Sequence, residues 1–207
     1  MTYCSGLSVG VLDIDSTLLQ AVPTANIFHL LNNPELMATG RISVLEMMPE
    51  TSVIWRPHVF EALSKFGKSF DCLGIWTAGI RQYGLAVAHE ISKRSTEMQF
   101  VFCREKCHMD RNGNYTKPNS FLLQVTHGLS EIINPNNILL IDDKPYSPNP
   151  VENGILIPPY EINYFSVENV MAEDTYLIDL ANFLIQELPK TKDYRKLDRT
   201  RIFKKKT

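Results

Sequence analysis

The chain has 207 residues, 44% of them hydrophobic and 21% charged, with a net charge of −2. That is enough for one large domain, or a domain with a small insertion, around a sizeable core. No apolar run approaches the roughly 20 residues that cross a bilayer and no signal segment is visible, so a membrane span is excluded and the expected setting is intracellular, cytoplasmic or nuclear.

Four cysteines (Cys4, Cys72, Cys103 and Cys107) are too few and too scattered for a disulfide framework. Cys103, Cys107 and His108 lack a fourth partner at ordinary zinc spacing, so reduced, partly buried thiols are expected. The charge is uneven. Residues 190–207 hold nine Lys or Arg against Asp193 and Asp198, a surplus of +7, which leaves −9 on the rest. A basic tail on an acidic body suits weak nucleic-acid affinity or an import signal, or simply a solvated, fraying helix end, and the last is the plainer reading.

In chain order, Val9-Gly10-Val11-Leu12 reads as a buried strand, and Asp13 and Asp15 follow where it ends. Alternation along a strand puts both carboxylates on one side and Ile14 in the core. Two such acids repel, and a divalent cation with a taste for hard oxygen, magnesium above all, relieves the repulsion. Taken alone, the pair also fits an ordinary Asx-rich strand end.

Thr24 is placed to cap a short helix through Leu31, broken by Asn32-Asn33-Pro34. Ile42–Met47 and Ser52–Trp55 read as two strands with Pro49-Glu50 between them, making residues 20–55 an insertion. Arg56-Pro57-His58 opens a helix with Val59, Leu63 and Phe66 on one face. A second strand runs through Ile75 and Trp76 to Thr77-Ala78-Gly79, a helix covers about Ile80 to Lys93, and Gln99–Cys103 is a third strand. Asp110–Asn114 forms a turn, and Lys117-Pro118 starts an extended segment toward Phe121, Leu122 and Val125. Asn136–Asp143 is a fourth strand ending in Asp142 and Asp143, Gly154–Ile157 a fifth, and Asp174 caps a last amphipathic helix closed by Pro189.

Strands alternating with helices predict an α/β fold, Rossmann-like, with a mostly parallel sheet and helices on both faces. In such sheets the site lies beyond the carboxyl ends of the strands, where Asp13, Asp15, Thr77, Asp142 and Asp143 all fall. One carboxylate can attack phosphorus and a neighbour can move a proton, while Thr77 and Lys117 hold phosphoryl oxygens.

This ordered set resembles the haloacid dehalogenase superfamily of aspartate-nucleophile phosphatases. Within it, the chain is similar to the small C-terminal-domain phosphatases, the NLI-interacting-factor-like or Dullard-like group, from about Val9 to Leu188. Asp13-Ile14-Asp15-Ser16-Thr17 matches the DxDxT signature; Trp55–Val59, Trp76–Tyr83, Cys103-Arg104-Glu105 with Asn114–Lys117, and Ile141–Lys144 match the later motifs. The resemblance implies Asp13 as nucleophile and Asp15 as general acid and base, with Thr77, Ala78 and Lys117 binding phosphate. It also implies a Mg2+ ion on Asp13, the main-chain carbonyl of Asp15 and Asp143, supported by Asp142, and no large cap domain. The implied partner is a phosphoserine or phosphothreonine protein, for which the C-terminal domain of RNA polymerase II is a candidate. Ile80 and Tyr83 match positions lining a pocket for a substrate proline, with helix packing an equal alternative.

Two departures bear on specificity. Asp142-Asp143 stands where the small phosphatases usually carry Asp-Asn, as in the larger polymerase phosphatases, and Gln20–Trp55 does not follow the family's insertion residue by residue. Two rival readings stay open, a phosphatase of nucleic-acid ends or lipid phosphate and a non-catalytic phosphopeptide-binding relative. The expected division is one phosphatase domain over residues 1–189, carrying the insertion, and a basic tail from 190 to 207.

Overall fold

A computed structural model of the chain describes residues 6–125 and 133–203. In chain order its strands and helices are β1 (Leu7–Leu12), β2 (Leu19–Pro23), α1 (Phe28–Leu31), α2 (Pro34–Ala38), β3 (Ile42–Leu45), β4 (Met48–Trp55), α3 (Val59–Ser69), β5 (Cys72–Trp76) and α4 (Arg81–Arg94). There follow β6 (Phe100–Phe102), β7 (His108–Met109), β8 (Tyr115–Pro118), α5 (Asn119–Val125), β9 (Ile133–Asp142), β10 (Pro148–Asn149), β11 (Gly154–Leu156), α6 (Val167–Met171) and α7 (Tyr176–Glu187).

Five strands form the central sheet in the order β11-β9-β1-β5-β6, and every neighbouring pair is parallel. The expected parallel sheet is therefore present. Both faces are buried, which is why these strands read as nearly continuous apolar runs. Along β1, β5 and β9, Leu12, Leu73, Ile75, Leu139 and Ile141 point into a core closed by α3, α4 and α7. Val9, Val11, Trp76, Ile138 and Leu140 point the other way, against Leu122 of α5. Gly10 faces the first of these cores so closely that a Cβ there would lie 2.5 Å from the Phe70 ring. Any side chain at that position would displace Phe70.

The 20–55 insertion is a three-stranded antiparallel sheet, ordered β2-β4-β3, with α1 and α2 beside it. One face of it (Leu19, Leu45, Val53 and Trp55) joins the main core. The other face (Val22, Ile42 and Ile54) covers Ile27, Leu30 and Leu36, with Val170 of α6. A third sheet, β10-β8-β7, brings Lys117 to the sheet's carboxyl end.

Several local expectations change. Leu19–Pro23 is a strand because it pairs with β4, Leu19 opposite Trp55. Pro49 and Glu50 lie inside β4 rather than between strands. No ladder pairing falls on Pro49, so its missing N–H costs nothing. Thr24 caps no helix; its Oγ1 donates to the Pro49 carbonyl at 2.9 Å, and residues 24–27 form a 3-10 turn. The first helical residue after Arg56 is Val59, because His58 takes a left-handed φ of 58°. After Pro118 the chain turns into α5, which seats Leu122 on the open face of the sheet, a burial that an extended segment would forgo.

At the other end, α7 starts at Tyr176, whose N–H donates to Asp174 Oδ1 at 3.0 Å. The expected solvated end is instead packed: Tyr194, Leu197 and Ile202 are buried in the main core, and Arg199 Nε donates to the Gly154 carbonyl at 2.8 Å. Cys72, Cys103 and Cys107 are free thiols, as expected, and Cys4 and residues 204–207 lie outside the described residues. No helix among the described residues is long and apolar enough to cross a membrane.

Candidate active site

The acid loop reverses the chain within a few residues. Asp13 N–H continues the sheet one residue past β1 by donating to the Ile141 carbonyl at 2.9 Å. Ile14 is fully buried, and its carbonyl accepts from Leu18 N–H at 2.8 Å. Ser16 sits at φ 60°, a left-handed conformation that costs a side-chain-bearing residue about 1 kcal/mol or more. The reversal sends the chain back along β2 and leaves Asp13 and Asp15 facing the sheet end.

Lys117 is the hub. Its Nζ donates to Asp13 Oδ1 and to Asp142 Oδ2, each at 2.5 Å, and it is 2% exposed. Burial pushes the Asp13 carboxyl up to about 8 against the pull of Lys117, and the charge of Asp142 adds to the rise. Burial alone would lower the ammonium, but the charges and hydrogen bonds of Asp13 and Asp142 hold it well above the usual lysine range. Asp143 stands beside them, reached by Thr17 Oγ1 at 3.4 Å, and burial with the charge of Asp142 raises its carboxyl too.

One carboxylate oxygen from each of Asp13, Asp142 and Asp143 falls within 4.8 Å of the others. Three acids around one lysine leave a surplus of negative charge in a buried place. Hard oxygens at that spacing fit a small divalent cation such as magnesium, and Asp13 and Asp143, whose carboxyls burial raises first and the charge of Asp142 second, are acids that such a cation would return to the charged form. The side chain of Asp15 is outside this group, so of that residue only the main-chain carbonyl expected as a ligand is in question.

Asp15 is held from the other side. The Tyr83 hydroxyl donates to its Oδ1 at 2.7 Å. Burial raises the Asp15 carboxyl while the bonds from Tyr83 and Thr77 oppose the rise. Tyr83 itself is pushed far above the usual phenol range by burial and by the charge of Asp15, so it remains a donor. Thr77 is fully buried at the end of β5, and its Oγ1 accepts from Gly79 N–H at 2.9 Å. Arg104 latches this turn, with Nε donating to the Ala78 carbonyl at 2.7 Å and its N–H to the Gly79 carbonyl at 2.9 Å.

A polar cavity of about 170 Å³ opens over these groups, lined by Asp13, Ala78, Asn114, Lys117, Asp142 and Lys144 among others. So the structure brings Asp13, Ala78, Lys117 and Asp142 onto one cavity, with Asp143 in the carboxylate cluster and Asp15, Thr77 and Tyr83 in an adjoining network. Ile80 does not line that cavity; it is exposed at 48% just before α4. Tyr83 is nearly buried, at 8%, and meets the site through its hydroxyl rather than through an open ring face.

Arg56 is the residue whose role sequence reasoning missed. It is fully buried, bound in bidentate fashion to Asp174 at 3.0 and 2.9 Å, and it also donates to the carbonyls of Thr17 at 3.2 Å and Pro158 at 2.9 Å. Its guanidinium lies over the rings of Tyr160 and Tyr176, at 5.6 and 5.7 Å. It thereby ties the acid loop to the start of α7. Its partner is 118 positions away, so no local pattern announces the pair.

The family profile described as NLI interacting factor-like phosphatase matches residues 9–195. A CTD small phosphatase-like protein 1 of Caenorhabditis elegans is 31% identical over 137 residues, 66% of this chain and 24% of the relative. The human carboxy-terminal domain RNA polymerase II polypeptide A small phosphatase 1 is 32% identical over 107 residues, 52% of this chain and 37% of the relative. The chain thus spans well under half the length of these curated relatives.

Among solved structures, Fcp1, an essential RNA polymerase II CTD phosphatase, overlays with a TM-score of 0.52 at 20% identity, covering 76% of this chain and 43% of that one. The fission yeast Fcp1-R271A bound to beryllium fluoride gives 0.55 at 18%, covering 95% and 54%. At such identities the likeness is one of fold.

Proposed function

This chain belongs to the NLI interacting factor-like phosphatase family and has the haloacid dehalogenase-type fold, and from that premise we propose that it is a magnesium-dependent phosphatase that uses Asp13 on phosphoserine or phosphothreonine in proteins. The observation that carries the reading is the buried Lys117 ammonium shared by Asp13 and Asp142 at 2.5 Å, with Asp143 completing a cluster of acids under a cavity of phosphate size.

An Asp13 carboxylate oxygen attacks phosphorus, and the bond from phosphorus to the serine or threonine oxygen breaks. Asp15, whose carboxyl burial raises, gives its proton to the departing oxygen. It then takes a proton from the water that attacks the aspartyl phosphate, so that inorganic phosphate leaves and Asp13 is restored. Thr77 and the Ala78 turn orient the phosphoryl oxygens, while Lys117 screens the nucleophile from a dianionic substrate. Asp13, Asp143 and the Asp15 carbonyl, with Asp142 in support, would hold magnesium, and a bound divalent cation supplies charge neutralisation for the phosphoryl group.

The intervals from Asp15 to Thr77 and from Thr77 to Lys117 are filled by the antiparallel insertion, α3, α4 and short strands, without a large cap. The insertion carries an open, mostly apolar hollow of about 700 Å³ lined by Ala21, Pro23, Phe28 and Thr51 among others. It shares no lining residue with the phosphate cavity, and the flanking residues proposed for the substrate are the prolines of a polymerase C-terminal domain, as the relatives' names suggest. The basic segment adds little to the case for nucleic-acid ends, because it begins at the end of α7 away from Asp174 and the acid loop. A binding-only relative would have no use for Asp15 and Lys117 together.

Steady-state assays with magnesium test the proposal on phosphoserine peptides, free phosphoserine, 5′-phosphorylated oligonucleotides and phosphatidate. A peptide with proline next to phosphoserine is expected to exceed free phosphoserine in kcat/KM by about tenfold or more. Equal or better turnover of oligonucleotide ends, phosphatidate or free metabolites would overturn the substrate assignment.

A further inference from the structure

The cationic C-terminal segment plays no part in the chemistry above, yet it is fixed in place. Tyr194, Leu197 and Ile202 anchor it in the main core, and Tyr194 meets the Phe70 ring edge-on at 6.4 Å. Beneath it lies a second hollow of about 300 Å³, lined by Lys68 and Ser69 at the end of α3, by Leu184 and Ile185 of α7, and by Leu188, Pro189 and Tyr194. Helices α3 and α7 start at Val59 and Tyr176, just after the Arg56–Asp174 pair that grips the acid loop, and the hollow is at their far ends. Eleven residues of α3 at a rise of about 1.5 Å place it roughly 16 Å or more from the catalytic groups.

We propose that this hollow docks an acidic segment of a partner protein through one aliphatic or aromatic side chain. The floor is apolar, and Ile185 leaves 41% of itself in solvent there. The surroundings are positive. Lys68 lines the hollow, and Lys190, Lys192, Arg195, Lys196 and Arg201 follow in the adjoining segment, against Glu187, Asp193 and Asp198 and against Asp71, whose charge acts on Tyr194. Glu187 is already shared by Lys190 and Arg201, and Asp193 by Arg195 and Lys196. Lys68 in the last turn of α3 also offsets that helix's dipole, but that need is met by a fraction of a charge and leaves a surplus. An apolar hollow within a positive rim matches an apolar side chain among carboxylates.

Single-stranded nucleic acid fits less well, because it wants open aromatic faces to stack on, and Tyr194 is only 7% exposed. A membrane surface would call for protruding apolar groups, whereas this face is concave.

The probe is a short fluorescein-labelled peptide with one phenylalanine among aspartates and glutamates, titrated into the full chain by anisotropy. Saturable binding that salt weakens is expected. Replacing the peptide's phenylalanine by alanine, or making Ile185→Glu or Lys190→Glu in the protein, should weaken it about tenfold or more. Hydrolysis of a small aryl phosphate should be unchanged in both variants, which separates this site from the catalytic one. Lys190 is 65% exposed, so its variant tests the proposal even if Ile185→Glu disturbs folding. No saturable binding at millimolar peptide, binding indifferent to Ile185→Glu and Lys190→Glu, or tighter binding of oligothymidylate lost in the same variants would each overturn it.

Discussion

Two buried cations hold the acid loop, and they differ in charge balance. Arg56 meets a single carboxylate, that of Asp174, face to face, and gives its remaining hydrogen bonds to two carbonyls. Lys117 meets two carboxylates at once and has a third acid, Asp143, within the same cluster. Both are as buried as any residue of the core, at 0% and 2% exposure. Burial alone therefore does not separate a structural ion pair from a reaction centre. A balanced pair is complete in itself, whereas a site with surplus negative charge is stabilised by binding further positive charge, which under the proposed function is a divalent cation.

The widest split between the two should come from removing each cation in turn. Lys117→Met is expected to cut kcat/KM by on the order of 10³, because phosphate binding and nucleophile screening are lost together. Arg56→Met is expected to cost about 3–5 kcal/mol of stability by stranding Asp174, while the folded fraction keeps kcat within about tenfold of the parent. Chemical denaturation beside initial rates checks both, and equal losses of activity in the two variants would erase the distinction.

The charge surplus predicts a second asymmetry. Magnesium at about a hundred times its dissociation constant should stabilise the parent by about 2.7 kcal/mol and raise its Tm. Lys117→Met, which adds to the surplus, should keep a magnesium-dependent Tm shift, and Asp143→Ala, which removes the ligand oxygen, should abolish most of it. A Tm indifferent to magnesium in the parent would break the metal reading, and excess chelator should remove turnover.

The smallest expected effect concerns Tyr83. Its hydroxyl fixes Asp15, so Tyr83→Phe should slow a phosphoserine peptide about tenfold while a nitrophenyl phosphate loses much less, since a good leaving group needs little acid help. Equal slowing of both substrates would reduce Tyr83 to packing.

How much of this was legible depends on how local each signal is. β1, β5 and β9 announce themselves through apolar runs that stop at Asp13, Thr77 and Asp142, because burial on both faces and a polar strand end are written in adjacent residues. The insertion was harder: Leu19–Pro23 becomes a strand only by pairing with Thr51–Trp55, more than thirty positions on from Leu19. The Arg56–Asp174 pair is more distant still. In the C-terminal segment the many charges outweigh the few apolar side chains in the sequence, yet the structure buries Tyr194, Leu197 and Ile202 in the main core. Tyr83 enters the sequence reading only through its match to the family's proline-pocket positions; that its hydroxyl reaches Asp15 is a contact 68 positions apart that no local pattern carries.

The central claim is that Asp13 carries the phosphoryl group in turn-over. Its most direct test is acid-quench mass spectrometry of an Asp15→Asn variant, in which release of the phosphoryl group is slowed, mixed with an aryl phosphate and magnesium. A burst of aryl alcohol equal to the enzyme, with phosphate found on the peptide that contains Asp13 and absent when Asp13→Asn is added, is the predicted result. Phosphate on another residue, or steady turnover of the Asp13→Asn protein without any adduct, would contradict it.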